Sequence, residues 1–239
     1  MDLDRITHLL RLAEGSHQRG SGKGCAMNAI SYINGDTEII DFPSCSARPL
    51  AAFVQLCNDL LANPDGFLSP ENSFLALELG WQTVGTALVP ERVILAWAAE
   101  LLTNPTWGIT QYTDKAGTQV ITDIADLLRV LASGDMPLIA VWDSADRAAR
   151  SVTATLAGAA RYAVRAAYQS IALVDTENRA ALDAVTGFAL RAHALATENI
   201  GAARIVEVTR HAIGSWRHLA HLHNPDHIDA ASLDSAQNT

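Results

Sequence analysis

The sequence predicts an all-α protein, a compact multi-helix domain, and three observations support this fold class. Apolar residues recur at helical spacing through most of the chain. Alanine, the residue with the highest helix propensity, supplies 41 of the 239 residues, and 20 of these lie between positions 145 and 203. Turn residues such as Asn, Gly and Pro separate the apolar segments. A length of 239 residues suffices for one large domain or two tightly joined small ones.

The first 136 residues are expected to form an acidic helical part, 1–136, with a short irregular or hairpin element at 36–42. A proline at position 90 suits the first turn of a helix, and Gly15 and Gly35 suit the residue after a helix end. The predicted helices are 3–14, 25–33, 48–62, 70–88, 90–102 and 120–131, with a polar loop at 104–117.

The remaining residues are expected to form an alanine-rich helical part, 137–228, packed on the first, followed by a flexible tail, 229–239. Residues 137–144 are compatible with a strand or with the first turns of a helix. Residues 145–173 contain a single glycine and no proline, so one long helix is predicted, with two more at 178–197 and 200–222. Small residues on one side of the long helix favour close packing, either within the chain or between copies in a homo-oligomer.

Charge, hydropathy and cysteine content limit the partners and the cellular locations that the sequence predicts. The net charge of −9 argues against nucleic acid as a partner, although residues 145–223 carry a local excess of arginine. No apolar run reaches the roughly 18 residues that a membrane span needs, so no membrane role is expected. Three cysteines, an odd number, and an acidic N-terminus without an apolar signal segment predict a reducing, cytoplasmic location.

The densest group of reactive residue types lies in the first 60 residues: His17, Cys25, Asp41 and Cys45. Imidazole, thiolate and carboxylate ligands suit zinc, so these four residues are a candidate metal site with zinc as the cofactor, although their spacing fits no standard zinc motif. Cys25 and Cys45 each lie at the N-terminus of a predicted helix, where the helix dipole lowers a thiol pKa, so a thiol nucleophile with His17 as base is an alternative. The third interpretation is that both cysteines are small buried apolar residues.

A glycine-rich loop, Gly20-Ser21-Gly22-Lys23-Gly24, is a candidate anion-binding site through its amide groups and the lysine. It is not a Walker A loop, because His17 stands where the first glycine is needed and Gly24 replaces the required Ser or Thr. A flexible connector is the alternative.

Five histidines cluster near the C-terminus: His211, His218, His221, His223 and His227. His218 and His221 are three residues apart and would share a helix face, a spacing that can hold a metal. The helix dipole alone also favours histidines near a helix C-terminus, and the sequence favours this interpretation.

The motif in the front segment resembles that of a family of uncharacterised proteins from actinobacteria and their bacteriophages. The matching residues are Gly15-Ser16-His17, Cys25-x-Met27-x-Ala29-x-x-Tyr32-x-x-Gly35, Asp41-x-Pro43-x-Cys45-x-x-x-Pro49 and Asn58-Asp59. The family also has an alanine-rich C-terminal half, and its usual Glu after Met is Asn28 here. The resemblance implies an origin rather than a reaction. It also favours a purely structural role for the motif, in which His17 and Asp41 hold the loop in place by hydrogen bonds and Cys25 and Cys45 pack beneath it.

The function expected from these observations is that of a phage or actinobacterial accessory protein that binds a macromolecular partner, a protein, in the cytoplasm of the cell or of the phage host. Two alternatives remain open at this point. One is a metal-dependent or thiol enzyme that uses His17, Cys25, Asp41 and Cys45. The other is a protein that sequesters a small anionic ligand or nucleotide at the Gly20–Gly24 loop.

Overall fold

The computed structural model describes residues 12–15, 23–174, 179–197 and 202–222. The described residues form nine α-helices and no β-strand, so the predicted all-α fold is confirmed. Two short 3₁₀ turns, Ile109–Tyr112 and Ile171–Val174, complete the regular structure. The helices are α1 (Ala26–Asn34), α2 (Arg48–Leu60), α3 (Pro70–Gln82), α4 (Glu91–Thr103), α5 (Lys115–Ala132), α6 (Ile139–Thr153), α7 (Gly158–Ser170), α8 (Arg179–Thr197) and α9 (Ala202–Leu219).

An aromatic cluster forms the centre of the core where α2, α4 and α9 meet. Phe53 packs edge-on against Trp97 and Trp107, with ring centroids 6.1 and 6.5 Å away, and Trp216 lies 5.2 Å from Trp97. The indole N–H of Trp97 donates to the carbonyl of Ala212 at 2.9 Å, so the buried polar atom is satisfied. These large rings join residues from both predicted parts of the chain in one core.

Many alanines of the C-terminal half are buried between helices of the same chain. Helix α7 packs along α8 and also against α5 and α6, and small side chains let the helix axes approach closely. The buried alanines of α7 and α8 are Ala163, Ala166, Ala167, Ala181, Ala189 and Ala192. Helices α8 and α9 in turn pack against α2, where Arg48 pairs with Asp183 at 2.9 Å. The two predicted parts of the chain are therefore packed on each other.

The prediction of one long helix over 145–173 is wrong. Helix α6 ends at Thr153, and α7 begins at Gly158, whose φ of +55° lies in the left-handed region. The chain changes direction there because α6 packs on α5 with Trp142 and Ala149 as its only buried residues among those described, whereas α7 packs mainly on α8. The sequence is compatible with either a strand or a helix at 137–144, and residues 139–144 form the first turns of α6.

Three other predicted helix boundaries need correction. Helix α5 begins at Lys115 rather than at residue 120, because the side chain of Asp114 accepts from the backbone N–H of Gly117, so the end of the predicted polar loop 104–117 is helical. The helix predicted over 70–88 ends at Gln82, because the hydroxyls of Thr83 and Thr86 donate to nearby backbone carbonyls and Gly85 turns the chain with φ +78°. The predicted helix over 3–14 does not extend to its last residues: Ala13 forms an antiparallel bridge with Phe67 instead. Residues 3–11 and the tail 229–239 lie outside the described residues.

Within the part of the chain that the structure describes, none of the helices has the length and apolar character needed to cross a membrane.

Candidate functional site

Cys25 and Asp41, two of the four predicted site residues, lie near each other at the start of α1. Cys25 is the residue that precedes the helix, and its backbone N–H donates to the side-chain oxygen of Asn28 at 3.0 Å. The side-chain amide of Asn28 donates to a carboxylate oxygen of Asp41 at 2.9 Å, and the Cys25 thiol lies 4.0 Å from the same oxygen. Gln55 donates to the Asp41 carbonyl, so the Asp41 backbone is also held.

The described residues do not assemble the predicted metal site. The Cys45 thiol lies 3.7 Å from the hydroxyl of Ser46, and His17 lies outside the described residues. Among residues whose placement is described, no three His, Cys, Asp or Glu side chains form a group that could hold a metal ion. Cys25 and Asp41 would provide only two of the four ligands that a structural zinc site needs, so zinc at this site stays a prediction.

Burial outweighs the backbone N–H groups of Met27 and Asn28 at the start of α1, which lower the pKa of the Cys25 thiol. Burial raises the pKa of Cys25 to about 11, and the negative charges of Asp41 and Asp59 act in the same direction, against hydrogen bonds from the backbone. The thiol is therefore protonated at neutral pH and is a poor nucleophile. Cys57, which the sequence did not assign a role, is also buried, and its pKa is raised to about 12. Cys25, Cys45 and Cys57 are all free of disulfides.

Hydrogen bonds from the front segment support the structural interpretation of the motif. Asn58 on α2 donates to the carbonyl of Ala13 at 2.9 Å and accepts from the backbone N–H of Ala26 at 3.2 Å. Asp59 accepts from the backbone N–H of Gly15 at 2.8 Å, where φ is +84°. This Asn-Asp pair, part of the quoted motif, thus joins the segment before the glycine-rich loop to α1 and α2.

The predicted anion-binding loop is described only at its end. Gly20, Ser21 and Gly22 lie outside the described residues. The ammonium group of Lys23 lies 5.0 Å from the centre of the Phe67 ring, and the carbonyl of Gly24 accepts from the backbone N–H of Ala13. Both residues are thus used in contacts within the chain, and anion binding by the loop stays a prediction.

A buried histidine that the sequence analysis missed lies beside the core. The Nδ1 atom of His193 shares a 2.9 Å hydrogen bond with the hydroxyl of Tyr112, and its ring packs edge-on against Tyr112 and Phe53. Burial, and to a smaller extent the positive charge of Arg204, lowers the pKa of His193 to about 3. No sequence signal marked this residue, because a single histidine within an apolar helix carries no motif.

Two of the clustered C-terminal histidines line an open groove. Arg210, His211 and His218 of α9 line a groove of about 360 Å³ together with Glu100 of α4. Its Glu100 already accepts from Asn104 at 2.6 Å, and Arg210 pairs with Glu78. His221 lies two residues after the end of α9 and has a φ of +54°. His223 and His227 lie outside the described residues.

A second groove, which the sequence analysis also missed, lies where the chain folds back between α6 and α7. It measures about 340 Å³ and is lined by Arg150, Arg161, Arg165 and Tyr168, with Thr153 and Ala154 at the end of α6. No carboxylate is among these lining residues. Three of its six lining residues are arginines, so the groove is basic.

An exposed apolar segment leads into α6. Met136, Leu138 and Ile139 are 74%, 75% and 79% exposed, and Val141 is also exposed. Asp135 and Asp143, both exposed, flank the segment. Single exposed apolar residues are ordinary, whereas here three highly exposed apolar side chains, Met136, Leu138 and Ile139, fall within four positions of the chain.

Comparison of the chain with known protein families, with curated proteins and with solved structures finds no match in any of the three. The resemblance of residues 15–59 to the actinobacterial and phage family therefore stays a prediction.

Proposed function

We propose that this chain is an accessory protein, actinobacterial or phage-encoded as its resemblance implies, that acts in the cytoplasm by binding a protein partner. The observation that carries the proposal is the exposed apolar segment at Met136, Leu138, Ile139 and Val141. Leaving four apolar side chains of neighbouring residues in water costs free energy that a partner would recover on binding. The high pKa of Cys25 further disfavours the thiol-enzyme alternative.

The surroundings of the segment indicate the chemistry of the partner. Asp135 and Asp143 are exposed on either side of it, so a partner with an apolar surface rimmed by Lys or Arg would complement it. Helix α6 itself buries only Trp142 and Ala149 among its described residues, so most of its surface is available to a partner.

The test compares a patch variant with a matched control in pull-downs from an actinobacterial lysate. Ile139→Glu places a charge inside the patch, and Leu88→Glu makes the same kind of change at an isolated leucine that is 94% exposed. The wild-type chain and Leu88→Glu should retain one stoichiometric partner whose contact region is apolar with a basic rim. Ile139→Glu should weaken binding by about 30-fold, which corresponds to roughly 2 kcal/mol at a central contact.

Two results would contradict the proposal. One is recovery of the same proteins in the same amounts by all three forms, with each folded by circular dichroism. The other is a dimer of the purified chain, seen by sedimentation velocity and abolished by Ile139→Glu, because the segment would then be covered by a second copy.

A further inference from the structure

The groove between α6 and α7 has an arrangement of arginines that the proposed partner surface does not require. The guanidinium of Arg150 lies 4.7 Å from the ring centre of Tyr168, and that of Arg165 lies 4.4 Å from the ring centre of Phe188. Tyr162 stacks on Phe188 at 6.2 Å behind it. Stacking on a ring fixes the plane of a guanidinium and leaves its N–H groups at the edge free to donate.

The positive charge of the groove is only partly neutralised. Arg150 pairs with Asp146 at 2.9 Å. Arg161 and Arg165 form no hydrogen bond or ion pair with any residue that the structure describes, and none of the side chains lining the groove is acidic. In a chain of net charge −9, a cavity with two such arginines is a local exception that favours an anion.

We propose that this groove binds the phosphate group of a phosphorylated small molecule. The planar fork of arginine donors matches the oxygens of a phosphate, and three arginines around one cavity allow several charge-assisted hydrogen bonds to it. A volume of about 340 Å³ lies within the range of small-ligand sites and accommodates a ligand of mononucleotide size. A long polyanion is disfavoured, because the chain as a whole carries a net charge of −9 and repels it.

The inference is independent of the partner surface and is tested on the full-length chain by isothermal titration calorimetry. Sodium pyrophosphate probes recognition of phosphate alone, and ADP probes phosphate attached to a nucleoside. Binding of both with equal affinity identifies phosphate as the recognised group, and tighter binding of ADP identifies a nucleotide. Either result supports the proposal if the binding depends on the arginines of the groove.

Three variants test that dependence. Arg161→Gln and Arg165→Gln should each weaken binding of pyrophosphate by about ten-fold or more, since each removes charged donors to the anion. Arg92→Gln, at an exposed arginine on α4, should leave the affinity unchanged. Absence of binding of both probes up to about 5 mM, the weak end of specific affinities, would overturn the proposal. So would an equal loss of affinity in all three variants, because binding would then reflect general charge.

Discussion

Buried His193 gives the sharpest quantitative prediction, a loss of stability as the pH falls below neutral. Its folded-state pKa of about 3 lies well below the value near 6.5 of an exposed histidine. Between these two values the unfolded chain takes up a proton that the folded protein excludes, so stability is complete above pH 6.5 and falls as the pH decreases toward 3. From pH 7 to pH 5, this one group should reduce the free energy of unfolding by about 2 kcal/mol.

The assay is urea unfolding, followed by tryptophan fluorescence at pH 7, 6 and 5. Other ionisable groups also contribute to the pH dependence. The quantity to compare is therefore the decrease in the free energy of unfolding between pH 7 and pH 5, measured in the wild type and in His193→Gln. The variant should be less stable at pH 7, because it disturbs the contact with Tyr112, but should lose about 2 kcal/mol less on acidification. His211→Gln, an exposed control on α9, should behave as the wild type. An equal loss in the wild type and in His193→Gln would refute the reasoning.

Two further predictions concern packing and thiol chemistry. Gly108→Ala should lower the free energy of unfolding by about 2 kcal/mol or more, because the added Cβ would lie 2.5 Å from the backbone nitrogen of Asn104. Gly187→Ala in α8, where nothing lies within 4 Å of the added Cβ, should instead raise it by about 0.5–1 kcal/mol, and chemical denaturation that finds the same change in both variants would contradict the argument. Cys25 and Cys57 should react slowly with iodoacetamide at pH 7.5 and quickly in urea, because burial raises both pKa values; rapid labelling of either in the folded protein, read by mass spectrometry, would contradict it.

Most helices could be predicted from local sequence because their ends carry local signals. Helix α1 ends at Asn34, followed by Gly35 at φ +80°, as the sequence indicated, and α2 begins at Arg48 as predicted. The break between α6 and α7 could not be predicted in this way. Alanine, which favours helix, supplies 11 of the 29 residues of 145–173. The chain nevertheless turns before Gly158, where α7 leaves the direction of α6 and packs mainly on α8.

The same break explains why the arginine groove was missed. On one straight helix, Arg150 and Arg161 would lie about 16 Å apart along the axis. In the structure both line one cavity, because the chain folds back between them. The contact between Cys25 and Asp41, by contrast, could be anticipated, because both residues belong to the front motif. The burial that raises the Cys25 pKa could not, because it depends on how the start of α1 is packed in the folded chain.

The position of Trp216 in the central cluster has a consequence for how the chain is made. Its ring covers Trp97, but it is synthesised more than a hundred residues later. At about 5–20 residues per second, α2 and α4 emerge from the ribosome many seconds before α9 can cover them. The faces of α2 and α4 that pack on α9 lack this partner during the interval, so the central aromatic cluster is completed only after α9 has been made.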